Sequence, residues 1–282
     1  MSRAQYQHLI VFSSPSGSTA KAALTLAHAL EETIGHEPDR IDLGAVARKE
    51  VPFPEITGPA CLWIGSPVYA KHAVPPVTHF LDHLPQIERG FAVPFVTWGG
   101  VSSGTALEEM AQQCHQRGYA LLGGAKILAT HSSLWRDTTP LGAGRPDAND
   151  EAMLWTLVSR VQTKLEQPCP ESELPPALLA YQPPNERRAS QAISIDTVRA
   201  HKAPLELNTD LCTQCGICAM GCPTGAICLS PWPSINEACI CCDMCRRMCP
   251  TGALQRNEGD PSPRLRDMAQ KRGEKPGTRL WY

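Results

Sequence analysis

The chain has 282 residues, of which 42% are hydrophobic and 19% charged, and a formal net charge of −2. That length predicts two domains rather than one, and the near-neutral balance gives nucleic-acid binding no electrostatic support. No apolar run approaches the ~18 residues of a membrane span, and no basic stretch followed by an apolar one suggests a secretory leader, so a cytoplasmic protein is expected.

In chain order, residues 8–13 (His-Leu-Ile-Val-Phe-Ser) read as a short buried strand. A hydroxyl-rich turn follows, Ser14-Pro15-Ser16-Gly17-Ser18-Thr19. An alanine-rich helix then runs to about Ile34, with apolar positions at 20, 23, 24, 27, 30 and 34. Strand, hydroxyl-rich loop and helix start is an arrangement that binds phosphate, through N–H groups at the helix N-terminus and Ser/Thr hydroxyls. A simple capped turn is the plainer reading of the same residues. The loop has neither G-x-x-x-x-G-K nor G-x-G-x-x-G, which argues against a triphosphate or dinucleotide site.

Further apolar strands are predicted near 60–65, 91–97 and 125–129, with a weaker one near 39–43. Helical spacing falls between and after them, at about 74–84, 104–117 and 147–166. Such alternation predicts an α/β fold, a doubly wound parallel sheet covered on both faces. Ligands in such sheets sit at the carboxyl ends of the strands, which here are followed by loops 13–19, 65–73 and 98–104.

These loops resemble those of flavodoxins. Ser14, Ser16, Gly17, Ser18 and Thr19 are similar to the flavodoxin phosphate loop, Ser/Thr-x-Thr-Gly-x-Thr, with Ser16 keeping the hydroxyl of the middle Thr. Gly65-Ser66-Pro67-Val68-Tyr69-Ala70-Lys71 resembles the first loop beside the flavin ring, and Trp98-Gly99-Gly100-Val101-Ser102-Ser103-Gly104 the second. The resemblance implies a flavodoxin-like domain over residues 1–167 that binds FMN. Ser66, Pro67, Val68, Tyr69, Trp98, Gly99, Gly100 and Gly104 would lie at the ring, and Tyr69 and Trp98 would stack on it or close over it. Ordinary packing at strand ends is the alternative for these two aromatics. Lys71 and His72 are candidates for the ring edge, or for solvated loop positions. His131, in Thr-His-Ser-Ser after the last strand, is noted without a role.

Residues 168–203 hold Pro168, Pro170, Pro175, Pro176, Pro183 and Pro184 and read as a partly stiff linker. Leu174, Leu178, Leu179 and Tyr181 could pin it to a domain, so a swinging arm and a docked one are both open. The stretch 259–282 has six basic and three acidic side chains and little apolar pattern; a loosely ordered tail is expected, with Trp281 and Tyr282 as its only candidate anchors.

Between linker and tail, residues 204–258 contain most of the 13 cysteines. Eight form two copies of C-x2-C-x2-C-x3-C-P: Cys212, Cys215, Cys218 and Cys222 before Pro223, and Cys239, Cys242, Cys245 and Cys249 before Pro250. This is the spacing of bacterial proteins with two [4Fe–4S] clusters. Three evenly spaced cysteines plus Cys-Pro is poor zinc spacing, and an odd cysteine count argues against a disulfide framework. Cys228 and Cys241 fit neither motif, and Cys61, Cys114 and Cys169 lie far off. Each motif continues as Pro-Thr-Gly-Ala, and the segment resembles a two-cluster bacterial ferredoxin, a small α+β fold. The resemblance implies crossed ligation, with Cys212, Cys215, Cys218 and Cys249 holding one cluster and Cys239, Cys242, Cys245 and Cys222 the other. Neither half can then close its own site.

The whole chain resembles the flavodoxin–ferredoxin fusion proteins of anaerobes. The resemblance implies an electron-transfer protein passing electrons between two [4Fe–4S] clusters and FMN, and to or from a redox partner protein or small electron acceptor. No acid–base constellation stands out. An FMN-dependent reductase of a specific small acceptor such as a quinone, and a redox- or oxygen-sensing binding module, are the alternatives.

Overall fold

The computed structural model describes residues 6–87, 89–167, 169 and 172–282. Strand β1 (Gln7–Phe12) leads into α1 (Ser18–Ile34), followed by β2 (Asp39–Asp42), the short α2 (Leu43–Ala47), β3 (Ala60–Tyr69), the two-residue β4 (His72–Ala73) and α3 (Pro75–Asp82). Then come β5 (Gly90–Trp98), α4 (Ala106–Gln116), β6 (Ala120–Leu121), β7 (Gly124–Leu128) and α5 (Ala148–Glu166). The main strands are parallel and lie in the spatial order β2-β1-β3-β5-β7. This is the flavodoxin-type doubly wound order.

Helices cover both faces, so the central strands are apolar on both. Leu62, Ile64 and Val96 pack with Phe80, Leu81, Leu107 and Met110 from α3 and α4. Trp63, Val93 and Phe95 face the other way, toward Ala23, Leu26 and Leu30 of α1 and Leu154, Leu157 and Val161 of α5. The alanine face of α1 lets that helix lie close to the sheet. It ends at Gly35, whose left-handed φ of 82° directs its N–H back to the Glu31 carbonyl. Asp147 and Asp150 form a reciprocal cap at the start of α5.

The 168–203 stretch is docked rather than swinging; its Pro168 and Pro170 lie outside the described residues. The Leu174 N–H donates to the Leu121 carbonyl at 2.7 Å. Leu179, in a 3-10 turn (Pro176–Leu179), is fully buried against the α3/α4 face, while Leu178 points to solvent. Two short helices follow, α6 (Pro184–Gln191) and α7 (Ile195–His201).

The cysteine-rich segment builds two similar halves: β8 (Glu206–Leu207), α8 (Ile217–Met220) and β9 (Ile227–Leu229), then β10 (Pro233–Ile235), α9 (Met244–Met248) and β11 (Leu254–Gln255). β9 pairs with β10, and the first strand, β8, pairs with the last, β11. The halves are therefore interlocked at both ends.

The C-terminal stretch is ordered, contrary to the expectation above. It forms α10 (Ser262–Arg272) and β12 (Arg279–Trp281), and β12 adds antiparallel to β7 with Trp281 opposite Gly124. Trp281 packs on Tyr181 with ring centroids 5.0 Å apart. A three-residue strand is too short to display a period, and polar ties described below fix it in place. Among the described residues no helix is long and apolar enough to cross a membrane.

Candidate functional site

The turn after β1 has the form of an anion cradle. Gly17, the N-cap of α1, has φ 90° and offers no side chain of its own, and the first turn of the helix holds no acidic residue. The first-turn N–H groups of a 17-residue helix and its positive dipole end are therefore directed into the loop. The Ser14 hydroxyl accepts from the Ala20 N–H at 2.8 Å, and the Thr19 hydroxyl meets that of Thr97 on β5 at 2.8 Å. These bonds fix the loop while leaving Ser16 and Ser18 on its rim. The neighbouring Ser13 hydroxyl is buried without a hydrogen-bond partner.

The second predicted loop, 65–73, is different from expectation. β3 continues to Tyr69, with Ser66 opposite Val96 and Pro67 opposite Thr97 of β5. The buried Ser66 hydroxyl donates to the Pro67 carbonyl at 2.8 Å and accepts from the Val74 N–H at 3.0 Å. Ser66 and Pro67 thus sit within the sheet, and Val68 packs partly into the core on the α3/α4 face. Gly65 is required there, because a Cβ would lie 2.3 Å from the Phe95 ring. The reversal itself is a tight hairpin at Ala70 and Lys71, with φ 49° and 70°. It is clipped to the third loop: the Thr105 N–H donates to the Lys71 carbonyl at 2.8 Å, and a Cβ on Gly104 would come within 1.9 Å of that oxygen.

Trp98 does not face an open slot. It is buried, the Lys126 ammonium lies 4.5 Å above its ring, and its indole N–H points to the Gly277 carbonyl at 3.4 Å. The residue belongs to the core, the plainer of the two readings. Gly99 packs against His131, on which a Cβ would impinge at 2.7 Å, and Gly100 turns the chain with φ 79°. His131 has a structural part: burial lowers its pKa to about 4, and its Nδ1 accepts from the Ser133 N–H at 3.3 Å.

Tyr69 is the aromatic at the site. Its hydroxyl donates to Ser132 Oγ at 3.1 Å. Burial pushes its pKa upward and the nearby Cys242 thiol adds to this, while Ser132, Arg247 and Ser16 oppose it. One phenol therefore feels the cradle, the turn after β7 and the cysteine-rich segment together. Ser132 was not singled out by residue pattern; the hydroxyl-rich Thr-His-Ser-Ser run was its signal. Lys71 and His72 turn away toward the docked arm. Lys71 lies 3.5 Å from Glu186. His72 bonds Glu109 through Nδ1 at 2.7 Å and the Ile193 carbonyl through Nε2 at 2.7 Å. The Glu109 carboxylate raises the His72 pKa.

The cysteines gather around two cavities. Cys222, Cys239, Cys242 and Cys245 line one; Cys212, Cys215, Cys218 and Cys249 line the other. The fourth cysteine of each motif faces the other motif's cavity. The Pro-Thr-Gly-Ala runs serve these sulfurs, since the Ala226 and Ala253 N–H groups donate to Cys222 Sγ and Cys249 Sγ, both at 3.2 Å. Such donors favour thiolate over thiol. Among the described residues no three His, Cys, Asp or Glu are arranged to hold a single metal ion; the sulfurs surround a space. Cys241 lines neither cavity and directs its N–H to Cys239 Sγ at 3.4 Å, and Cys228 is exposed on β9.

This segment docks on the carboxyl edge of the sheet. Ile240 is buried in the α3/α4-side core with Cys242 against it. Arg48 donates to the Cys222 carbonyl at 3.2 Å, and a Cβ on Gly225 would lie 2.9 Å from the Ala47 carbonyl at the end of α2.

Residues 205–228 match the family described as 4Fe-4S binding domain. No curated protein matches the chain. Among solved structures it is similar to the rubredoxin oxygen:oxidoreductase of the anaerobe Desulfovibrio gigas, at 16% identity and a TM-score of 0.44, over 58% of this chain and 37% of that one. The chain thus spans well under half the length of that oxidoreductase. A flavodoxin from the domain Archaea aligns at 18% identity and TM-score 0.40, over 57% of this chain and 99% of its own. An NADH:FMN oxidoreductase (EmoB) in its apo form aligns at 18% and 0.40, over 64% and 98%. The chain thus joins an α/β domain of flavodoxin topology to a segment similar to 4Fe-4S binding domains.

Proposed function

We propose that the chain is an electron-transfer protein that carries FMN on residues 1–167 and two [4Fe–4S] clusters on residues 204–258. The observation that supports it most is the division of eight cysteines between two cavities, four to each, with the cradle loop and Tyr69 alongside. The residues present fit both groups. Four sulfurs around a space suit a cubane, whose thiolates bind separate irons. The α1 N-terminus, whose Gly17 N-cap offers no side chain, with Ser14, Ser16, Gly17, Ser18 and Thr19 suits a phosphate. On the ring side, Tyr69, Gly99 and Gly100 fit, and Ser66, Pro67 and Trp98 do not.

Bound there, FMN and the clusters would supply one-electron chemistry, with the flavin also able to exchange two. The protein's part is to hold and insulate. Ala226 and Ala253 N–H groups stabilise ligand thiolates, the Gly104–Lys71 clip fixes the two ring-side loops to one another, and Tyr69 stands half-buried beside the docked module. Redox partners, whether a protein or a small acceptor, would meet the exposed side of the cysteine-rich module.

The test is anaerobic purification followed by iron, sulfide and flavin analysis. About eight irons and one FMN per chain are expected. Zinc in place of iron, or a chain without flavin, would overturn the proposal.

A further inference from the structure

The two cysteine sets differ in what surrounds them. The set Cys222, Cys239, Cys242 and Cys245 is the inner one, against Tyr69 and the α3/α4-side core. Three cations from outside the module reach its backbone. Arg48, after α2, donates to the Cys222 carbonyl at 3.2 Å. Arg199 of α7 donates twice to the Cys239 carbonyl, at 3.2 and 2.9 Å. Lys202 donates to the Cys241 carbonyl at 3.0 Å and pairs with Asp243. Asp243 is itself buried and also bound by Arg256 at 2.9 Å and Arg246 at 3.5 Å.

Acids stand behind several of these cations. Glu50 holds Arg48, Asp196 holds Arg199 and Glu258 holds Arg246. Glu50 and Asp196 are solvent-facing, with side chains 47% and 83% exposed, so water screens them while the guanidinium donors face the loop. The outer set, Cys212, Cys215, Cys218 and Cys249, has no counterpart. Among the described residues no Arg or Lys side chain donates to a carbonyl of those cysteines, and no charged residue lines their cavity.

Cations and donors beside a cluster stabilise its more negative, reduced form, and hydrogen bonding and charge are among the levers that set cluster potentials. We infer that the two sets are held at unequal potentials, the inner one higher, and that Arg48 and Arg199 are positioning residues for that inequality. The first electron added to the chain would then rest next to the FMN-side loops rather than at the exposed face. This inference rests on the proposed two-cluster reading.

The test is a dithionite titration of the full anaerobic protein, followed by electron paramagnetic resonance. Two reduced-cluster signals with separate midpoints are expected. Cys245→Ser and Cys215→Ser assign them, since each variant abolishes or alters the signal of its own set. Arg48→Met and Arg199→Met should each lower the midpoint of the inner signal, changing its reduced-to-oxidised ratio at least about tenfold at fixed potential, since a unit charge within about 12 Å contributes that much in a medium of effective dielectric near 20. The outer midpoint should stay in place. Equal midpoints in the wild type, equal shifts of both signals, or a shift confined to the outer signal would overturn the inference. Absence of a second cluster by iron analysis would instead count against the function proposed above.

Discussion

Replacing Glu274 by alanine should detach the C-terminal strand from the sheet. The Glu274 carboxylate accepts from the Ser103 N–H at 2.9 Å and from the Ser103 hydroxyl, from Lys126 Nζ at 2.6 Å and from Gln182 Nε2 at 3.1 Å. Its donors come from the loop after β5, from β7 and from the docked arm, and the Lys126 side chain is only 8% exposed. Alanine would leave a buried ammonium without its counter-ion, a change that costs about 3–5 kcal/mol. Glutamine keeps the carbonyl acceptor and removes the charge; about 1–3 kcal/mol is expected, the value of a charged hydrogen bond. Pairing Glu274→Ala with Lys126→Met removes the stranded charge and should recover much of the loss. Urea unfolding of the anaerobic protein gives the energies, and hydrogen exchange at residues 279–281 reports β12 directly. Burial would raise the Glu274 pKa, but Lys126 and Ser103 outweigh it and hold it below the ordinary value. That contribution is complete above the unfolded carboxyl pKa and is lost as pH falls through the lower folded value. A Glu274→Ala protein within about 1 kcal/mol of wild type, with β12 amides still protected at neutral pH, would refute the reasoning.

Gly104→Ala should cost at least about 2 kcal/mol, because its Cβ would stand 1.9 Å from the Lys71 carbonyl at a φ of 57°; calorimetry checks this, and flavin retention should fall with it. His72, its pKa raised by Glu109, holds the arm most firmly when protonated. This stabilisation is complete below the unfolded imidazole pKa and lost as pH rises through the folded one, so exchange at residues 190–198 should quicken at high pH in wild type and lose that dependence in His72→Gln. Cys222→Ser should cut iron content, whereas Cys228→Ser, on an exposed position outside both cavities, should leave it unchanged. Gly17→Ala strains a residue at φ 90° and should weaken FMN binding several-fold without disturbing the sheet.

The parallel sheet was legible because its strands are apolar on both faces and its helices keep a 3.6 period; the observed bounds of β1, α1, β5 and α5 differ from expectation by a residue or so. The two cysteine motifs were legible through spacing; their crossed division into sets was implied only by the resemblance to two-cluster ferredoxins. What escaped has a common cause. Trp98 looks like a ring-stacking aromatic in sequence, but strand alternation sets its side chain under Lys126, a residue whose partner Glu274 is 148 positions away. The 65–73 segment was expected as a loop after the strand near 60–65, yet Gly65 is there for the Phe95 ring and Pro67 is carried within the paired strand. The ordering of the tail depends on long-range polar contacts, which no local period records.

The arm shows how such contacts join the two halves. Its first helix, α6, is tied to the sheet side: Arg187 pairs with Glu108, and the Ser190 and Ile193 carbonyls accept from His72 at 3.0 and 2.7 Å. Its second, α7, is tied to the cysteine side through Arg199 and Lys202. Only Ser194, the N-cap of α7, and its neighbours separate the two sets of ties. A segment bonded so closely in sequence to both partners cannot let one drift from the other without breaking charged hydrogen bonds on one side, each worth about 1.5–3 kcal/mol. A free linker would make the Tyr69–Cys242 neighbourhood one state among many. The splinted arm makes it the ground state, and that is why the proline-rich stretch bears on function although none of its described residues lines either cavity.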